Sequence, residues 1–233
     1  MNQLIVSLDV QQLNRALELV ELLSPIVNYF KIGSIPFFNY GPILLQRLEQ
    51  LGKKVFLDLK WHDIPNTVQG AIQSASIYST IFMVNVHCLG GEAMLKAAVD
   101  AANRSSHRPL LIGVTVLTSL KQTDLITLGF SNTLPEQALK LATLAQQSGL
   151  DGVVASAHEV KALKQSLGEN FLVVTPGIRP EWSQTNDDQK RVLTPSDAVK
   201  LGSDYLVIGR PIIAHANPFE AAQRVLEEMD NVA

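Results

Sequence analysis

The stretch Phe56-Leu-Asp-Leu-Lys-Trp-His-Asp-Ile-Pro-Asn-Thr-Val68 opens as an apolar strand and then turns charged. Side chains two apart on a strand share a face, so Asp58 and Lys60 project together. A second carboxylate, Asp63, follows just past the strand end. Burying a charge costs several kcal/mol, roughly, unless it is paired. An inward-facing aspartate and lysine are therefore not core filling. They belong at the mouth of a cavity, with a further carboxylate arriving from the loop. A cation held between carboxylates stays protonated and can act as a placed proton donor.

Working outward, apolar runs like the first half of this stretch recur along the chain. Strands are expected over 4–8, 29–32, 54–60, 82–87, 110–117, 152–155, 171–175 and 205–208. Helical patterns are expected between them, over 10–23, 36–51, 68–78, 92–102, 135–148, 157–167, 195–201 and 218–229. The repeat averages about 29 residues, the length of a βα unit. Each strand is nearly continuous apolar, as parallel strands covered by helices should be. Eight such repeats without a linker predict a (β/α)₈ TIM barrel, one domain over 1–233. An open doubly wound sheet is the alternative, but no G-x-G-x-x-G follows the first strand.

Composition agrees with one large globular unit. The chain has 233 residues, is 46% hydrophobic and carries a net charge of −3, which argues against a nucleic-acid partner. The lone Cys88 forms no internal disulfide, which fits a reducing, cytoplasmic setting. The amino terminus reads as a strand with no basic leader, so no signal peptide is expected, and no apolar run reaches spanning length, so no membrane partner is expected.

Barrel chemistry sits at the carboxyl ends of the strands. Strand one ends in Asp9, strand two at Lys31, strand three at Asp58 and Lys60, strand four at His87, strand five near Thr118 and Ser119, strand eight at Gly209 and Arg210. One strand-end aspartate alone would be an ordinary surface ion pair. Alternating charges from three neighbouring strands at one rim form a preorganised electrostatic array in which interleaved lysines keep the carboxylates ionised.

A second constellation is Thr175-Pro-Gly-Ile-Arg179 with Ile208-Gly-Arg-Pro211. Barrels commonly bind phosphate at the loops after strands seven and eight. Gly177 and Gly209 let backbone approach an anion, and Arg179 and Arg210 can grip it bidentately. The polar run between them, 180–190, is long enough for a lid. Gln189 within it reads equally as an amide donor to phosphate or as a solvated loop residue. The five histidines show no zinc-ligand spacing, so no metal is expected. His87 is read as a hydrogen-bonded residue of the rim, and Trp61 as packing against a helix or a partner.

With these residues assembled, the chain resembles the orotidine 5′-phosphate decarboxylase family over essentially its whole length. The most specific element is D-x-K-x-x-D-I-P-N-T at 58–67, and the two glycine–arginine segments agree. The resemblance implies cofactor-free conversion of orotidine monophosphate to uridine monophosphate in pyrimidine biosynthesis. It implies that Lys60 protonates C6, that Asp58 opposes the substrate carboxylate and that Lys31 holds the array. Asp9 would bind the ribose, Thr118 and Pro176 would meet the pyrimidine, and Arg179, Gln189, Gly209 and Arg210 would grip phosphate. Asp63, Ile64 and Thr67 would reach into the neighbouring subunit's site, which implies a homodimer. Two alternatives stay open. One is a Mg²⁺-dependent sugar-phosphate decarboxylase such as 3-keto-L-gulonate 6-phosphate decarboxylase, although Lys31 is a poor metal ligand. The other is a noncatalytic phosphate-ligand barrel.

Overall fold

Strand pairing follows sequence order all the way round, and the eighth strand closes on the first. The computed structural model describes residues 3–183 and 193–231. Its strands are β1 (Gln3–Ser7), β2 (Tyr29–Gly33), β3 (Lys54–Trp61), β4 (Ile81–His87), β5 (Leu110–Val114), β6 (Gly152–Val154), β7 (Leu172–Pro176) and β8 (Tyr205–Ile208). All neighbouring pairs are parallel. The helices are α1 (Leu13–Leu23), α2 (Ser34–Gln50), α3 (Pro65–Ala75), α4 (Gly91–Asn103), α5 (Gln122–Thr127), α6 (Leu134–Gln147), α7 (Val160–Leu167), α8 (Pro195–Lys200), α9 (Arg210–Ile213) and α10 (Pro218–Asp230). The expected (β/α)₈ barrel is the fold. Closure leaves no sheet edge, which removes the usual template for aggregation. Among the described residues no helix is long and apolar enough to cross a membrane.

Most positions on both faces of each strand are apolar because both faces are covered. Odd-numbered β1 and even-numbered β3 side chains, Ile5 and Phe56, join Met83, Ile112, Val174 and Val207 inside the barrel. Their neighbours, such as Val6, Phe30, Leu57 and Leu206, pack outward under the helices. Below the inner layer Tyr29, Phe82 and Tyr205 close the barrel floor, with ring centroids 4.9–6.0 Å apart. One step above it, period two brings Lys31, Asp58 and Asn85 to the inside. The apolar layer therefore acts as a floor for the charged rim.

Three helix starts share one local code. Thr133, Thr194 and Asn217 each accept a hydrogen bond from the backbone N–H three residues on, with proline at the first or second helical position. The same placement of Pro65 starts α3 three residues ahead of the expected 68. Strand five is shorter than the expected 110–117, because the ladder to β6 stops at Val114. Thr115 still turns both its N–H and its hydroxyl to the Val154 carbonyl, and the chain then leaves the sheet. The short helices α5 and α9 lie where no helix was expected. With six and four residues they are too short to show a helical period.

Candidate active site

Three strands deliver the charged rim. The β2–β3 ladder sets Lys31 beside Phe56 and Gly33 beside Asp58. Lys31 Nζ lies 3.0 Å from Asp58 Oδ2 and 3.5 Å from Asp9 Oδ1, and Lys60 Nζ donates to Asp58 Oδ1 at 2.6 Å. Asp9 also accepts the Ser7 hydroxyl at 2.7 Å. Position 33 sits tight against this array. A β-carbon there would stand 3.2 Å from Asp9 Oδ1 and 3.3 Å from Lys31 Nζ. The order along the rim is thus Asp9, Lys31, Asp58, Lys60, with signs alternating at every step.

Asp58 shows which electrostatic effect prevails. Burial pushes its carboxyl up, and Lys31, Lys60 and hydrogen bonds from Lys60 and Asn85 pull it down. Each ion pair is worth on the order of 4 kcal/mol at an effective dielectric constant near 20, less for the half-exposed Lys60. Two such partners outweigh the roughly several kcal/mol of burying one carboxylate. The result is a carboxyl held below its ordinary range and ionised at neutral pH.

Lys60 does not reach the site as a regular strand residue. From Leu57 to Trp61 β3 advances four residues while β4 advances only from Val84 to Val86. Lys60 sits in this bulge at φ 51, the one positive φ outside glycine among the described residues. Same-face alternation predicted its direction, and the bulge is what achieves it. Trp61 is half-buried against the outer core, as a packing residue should be.

Above the apolar floor is a cavity of about 160 Å³ lined by Lys31, Asp58, Lys60, Thr118 and Pro176, with Phe56, Val114, Val116, Leu117, Val154, Val174 and Val207 as its apolar wall. Four of these side chains, Lys31, Asp58, Lys60 and Thr118, are polar and the rest are apolar, so a few polar groups meet a mainly hydrophobic wall, as in small-molecule sites generally. Thr118 lies here although it is past the strand rather than on it.

A second cavity, of about 510 Å³, opens beyond β7 and β8 and is lined by Arg179, Arg210, Arg224, His215, Trp182, Ser183, Pro211 and Ala214. Gly177 takes φ 79 to turn the chain out of β7, and Arg179, buried, donates from Nη1 to the Ile178 carbonyl at 3.0 Å. Arg210 is exposed and begins α9. At Gly209 a β-carbon would meet Ser7 Cβ at 3.2 Å, a tight contact whatever the loop binds. Gln189 lies outside the described residues.

Asp63, Ile64 and Thr67 are exposed and line neither cavity. Asp63 accepts the Ile64 N–H at 2.7 Å and forms no ion pair among the described residues. His87 corrects its expectation. It lies at the rim, but its Nδ1 is buried and makes no hydrogen bond among the described residues. Its ring instead lies 5.3 Å from that of His62, and burial, His62 and Lys60 hold its pKa below the usual value. Among the described residues no three His, Cys, Asp or Glu side chains converge in the manner of a metal site.

Two site residues escape sequence reasoning. Asn85 is fully buried, donates to Asp58 Oδ1 at 2.6 Å and accepts the Lys60 N–H at 2.8 Å. A signal for it existed, as the lone amide in an apolar run, in phase with Met83 and His87. Arg224 comes from α10 and lays its guanidinium 4.6 Å from the Trp182 ring centre, beside the two expected arginines. It sits far from any strand end, and nothing in its surroundings in sequence marks it.

Known proteins resemble this chain over nearly its whole length. The family model described as Orotidine 5'-phosphate decarboxylase / HUMPS family matches residues 2–225. The orotidine 5'-phosphate decarboxylase of Legionella pneumophila strain Philadelphia 1 is 51% identical over 228 residues, covering 97% of this chain and 99% of its own. That of Carboxydothermus hydrogenoformans is 50% identical over 234 residues, covering 99% of this chain and 97% of its own. The crystal structure of orotidine 5'-phosphate decarboxylase from Lactobacillus acidophilus superimposes with a TM-score of 0.86 at 36% identity, covering 99% of this chain and 100% of that one.

Proposed function

Because this chain belongs to the orotidine 5'-phosphate decarboxylase / HUMPS family, we propose that it removes carbon dioxide from orotidine 5′-monophosphate to give uridine 5′-monophosphate, a step of pyrimidine biosynthesis. The observation that carries this reading is the alternating array Asp9, Lys31, Asp58, Lys60 at the mouth of a ring-sized cavity. A phosphate-binding barrel has no use for an ammonium wedged against a buried carboxylate. A Mg²⁺ enzyme of this fold would want a carboxylate where strand two carries Lys31.

In this reading the pyrimidine lies in the first cavity and the phosphate in the second. The substrate carboxylate faces Asp58, which stays ionised and repels it. The bond from C6 to the carboxylate carbon breaks, the electron pair stays on C6, and carbon dioxide leaves. Lys60 stabilises the developing charge and delivers a proton from Nζ to C6. Solvent then restores the ammonium. Lys31 keeps Asp58 ionised throughout, Asp9 takes ribose hydroxyl groups, and Thr118 and Pro176 meet the ring edge. The phosphate, gripped by Arg179, Gln189, the Gly209 backbone and Arg210, supplies binding energy remote from the reacting bond.

The reading includes a homodimer. Ile35, Phe38, Ile64 and Leu89 are exposed on the segments that follow β2, β3 and β4, Phe38 at 82%. Apolar side chains gathered at that rim, next to Asp63, support a second copy covering it. Asp63, Ile64 and Thr67 then complete the neighbour's site. The location is the cytoplasm, on the strength of the buried, unpaired Cys88 thiol.

The direct test is to mix the purified protein with orotidine monophosphate under chelator and follow the ultraviolet spectrum. Stoichiometric conversion to uridine monophosphate is expected, and an unchanged spectrum would sink the reading. A second test addresses phosphate. Arg210→Ala should lower kcat/KM by roughly 2–4 kcal/mol, about 30- to 1,000-fold, through one lost charged contact. Substrate lacking the phosphate should be a poor substrate for both proteins and show little difference between them. Equal losses on both substrates would make Arg210 structural.

A further inference from the structure

Asn85 is a primary amide with no exposed surface, set in the apolar strand β4 and directed into the barrel. A buried amide without partners is strongly unfavourable, and this one spends both ends on β3. Its Oδ1 takes the Lys60 N–H and its Nδ2 gives to Asp58 Oδ1. Chemistry fixes that orientation of the amide. A backbone N–H can only donate and an ionised carboxylate can only accept.

The backbone explains why an amide is needed. The bulge between Leu57 and Trp61 takes Lys60 out of the ladder and leaves its N–H without a strand partner. The left-handed conformation at Lys60 is also disfavoured for a residue with a β-carbon. Such a conformation persists only where the surroundings hold it. Asn85 is the group in position to do so, and it grips Asp58 at the same time.

We propose that Asn85 is the positioning residue of this site: it holds Lys60 in the left-handed turn that aims Nζ into the cavity and binds Asp58 to the same anchor. The ammonium and the carboxylate are thereby set against each other before substrate arrives. Asn85 itself touches no substrate. For its kinetic part this inference rests on the decarboxylase reading.

Three measurements test it. Asn85→Ala should bind uridine monophosphate within about threefold of wild type yet lose about 10²-fold in kcat, the penalty of a catalytic group misplaced by an ångström. Hydrogen exchange at the Lys60 amide, read by NMR on ¹⁵N-lysine-labelled protein, should quicken at least about tenfold. Asn85→Asp keeps the size and the acceptor for the Lys60 N–H but replaces the donor to Asp58 with a carboxyl. The groups around position 85 are Asp58, Lys60 and, beyond them, Lys31 and Asp9, with His87 two residues on and His62 against it. Two carboxyls in contact share one proton before both ionise. The Asn85→Asp kcat, as a ratio to wild type, should therefore be highest at acid pH and fall as pH rises.

A kcat for Asn85→Ala within threefold of wild type overturns the inference, as does unchanged exchange at the Lys60 amide or a pH-independent ratio for Asn85→Asp. If the wild-type protein leaves orotidine monophosphate untouched, the decarboxylase reading fails, and the Lys60 exchange measurement alone decides whether Asn85 holds the turn.

Discussion

Lys60→Ala should abolish turnover while sparing the fold, with kcat down by about 10⁴-fold or more. Two contributions are lost together. Placed proton transfer is typically worth about 10²–10⁴ in rate, and stabilisation of developing charge about 10²–10³. The ground state suffers much less. Asp58 keeps Lys31 at 3.0 Å and the Asn85 amide at 2.6 Å, so it stays ionised and the site keeps its shape. Uridine monophosphate should bind within an order of magnitude of wild type. Lys60→Gly sharpens the test, because glycine adopts φ 51 without strain. It should be at least as resistant to urea as Lys60→Ala and equally inactive. Steady-state kinetics with kcat within tenfold of wild type for either variant would end the assignment of Lys60 as proton donor.

The barrel was legible because strand and helix each leave a period that survives in one sequence. The run 205–208 is apolar on both faces and 4–8 is interrupted only by Ser7, and the charged residues follow at their carboxyl ends, where Asp9 and Arg210 stand. Features that leave no such period, or no charge, are the ones the sequence hides. α9 has four residues, and its first is the arginine expected to grip phosphate. Strand five ends short of the expected 117 because Val116 and Leu117 are apolar for another reason, since they wall the cavity. Lys60 points where simple alternation would send it, through a bulge that nothing in D-L-K-W announces. Asn85 is less legible than the rim aspartates and lysines because an amide at the centre of an apolar strand carries no charge. Its role depends on the backbone geometry of β3, a strand 25 residues earlier in the chain at the point of contact.

A site shared between two copies turns on Asp63. It is exposed, makes no ion pair among the described residues and lines neither cavity of its own barrel. It nonetheless stands three residues from Lys60, beside the exposed Ile64. If a second copy packs on that rim, Asp63 is carried into the partner's cavity rather than its own. The Lys60→Ala homodimer should then be nearly inactive and the Asp63→Asn homodimer severely impaired. Unfolding the two variants together in equal amounts and refolding them should restore activity. In a mixed dimer one site receives both substitutions, while the other combines Lys60 of one chain with Asp63 of the other. Random pairing makes about half of the dimers mixed, each with one intact site of two, so about a quarter of wild-type activity should return. Had Asp63 served its own barrel, every site in the mixture would lack one group or the other. Activity no greater than the sum of the parents, with mixed dimers verified by mass, would refute the shared site while leaving the chemistry at Lys60 and Asp58 intact.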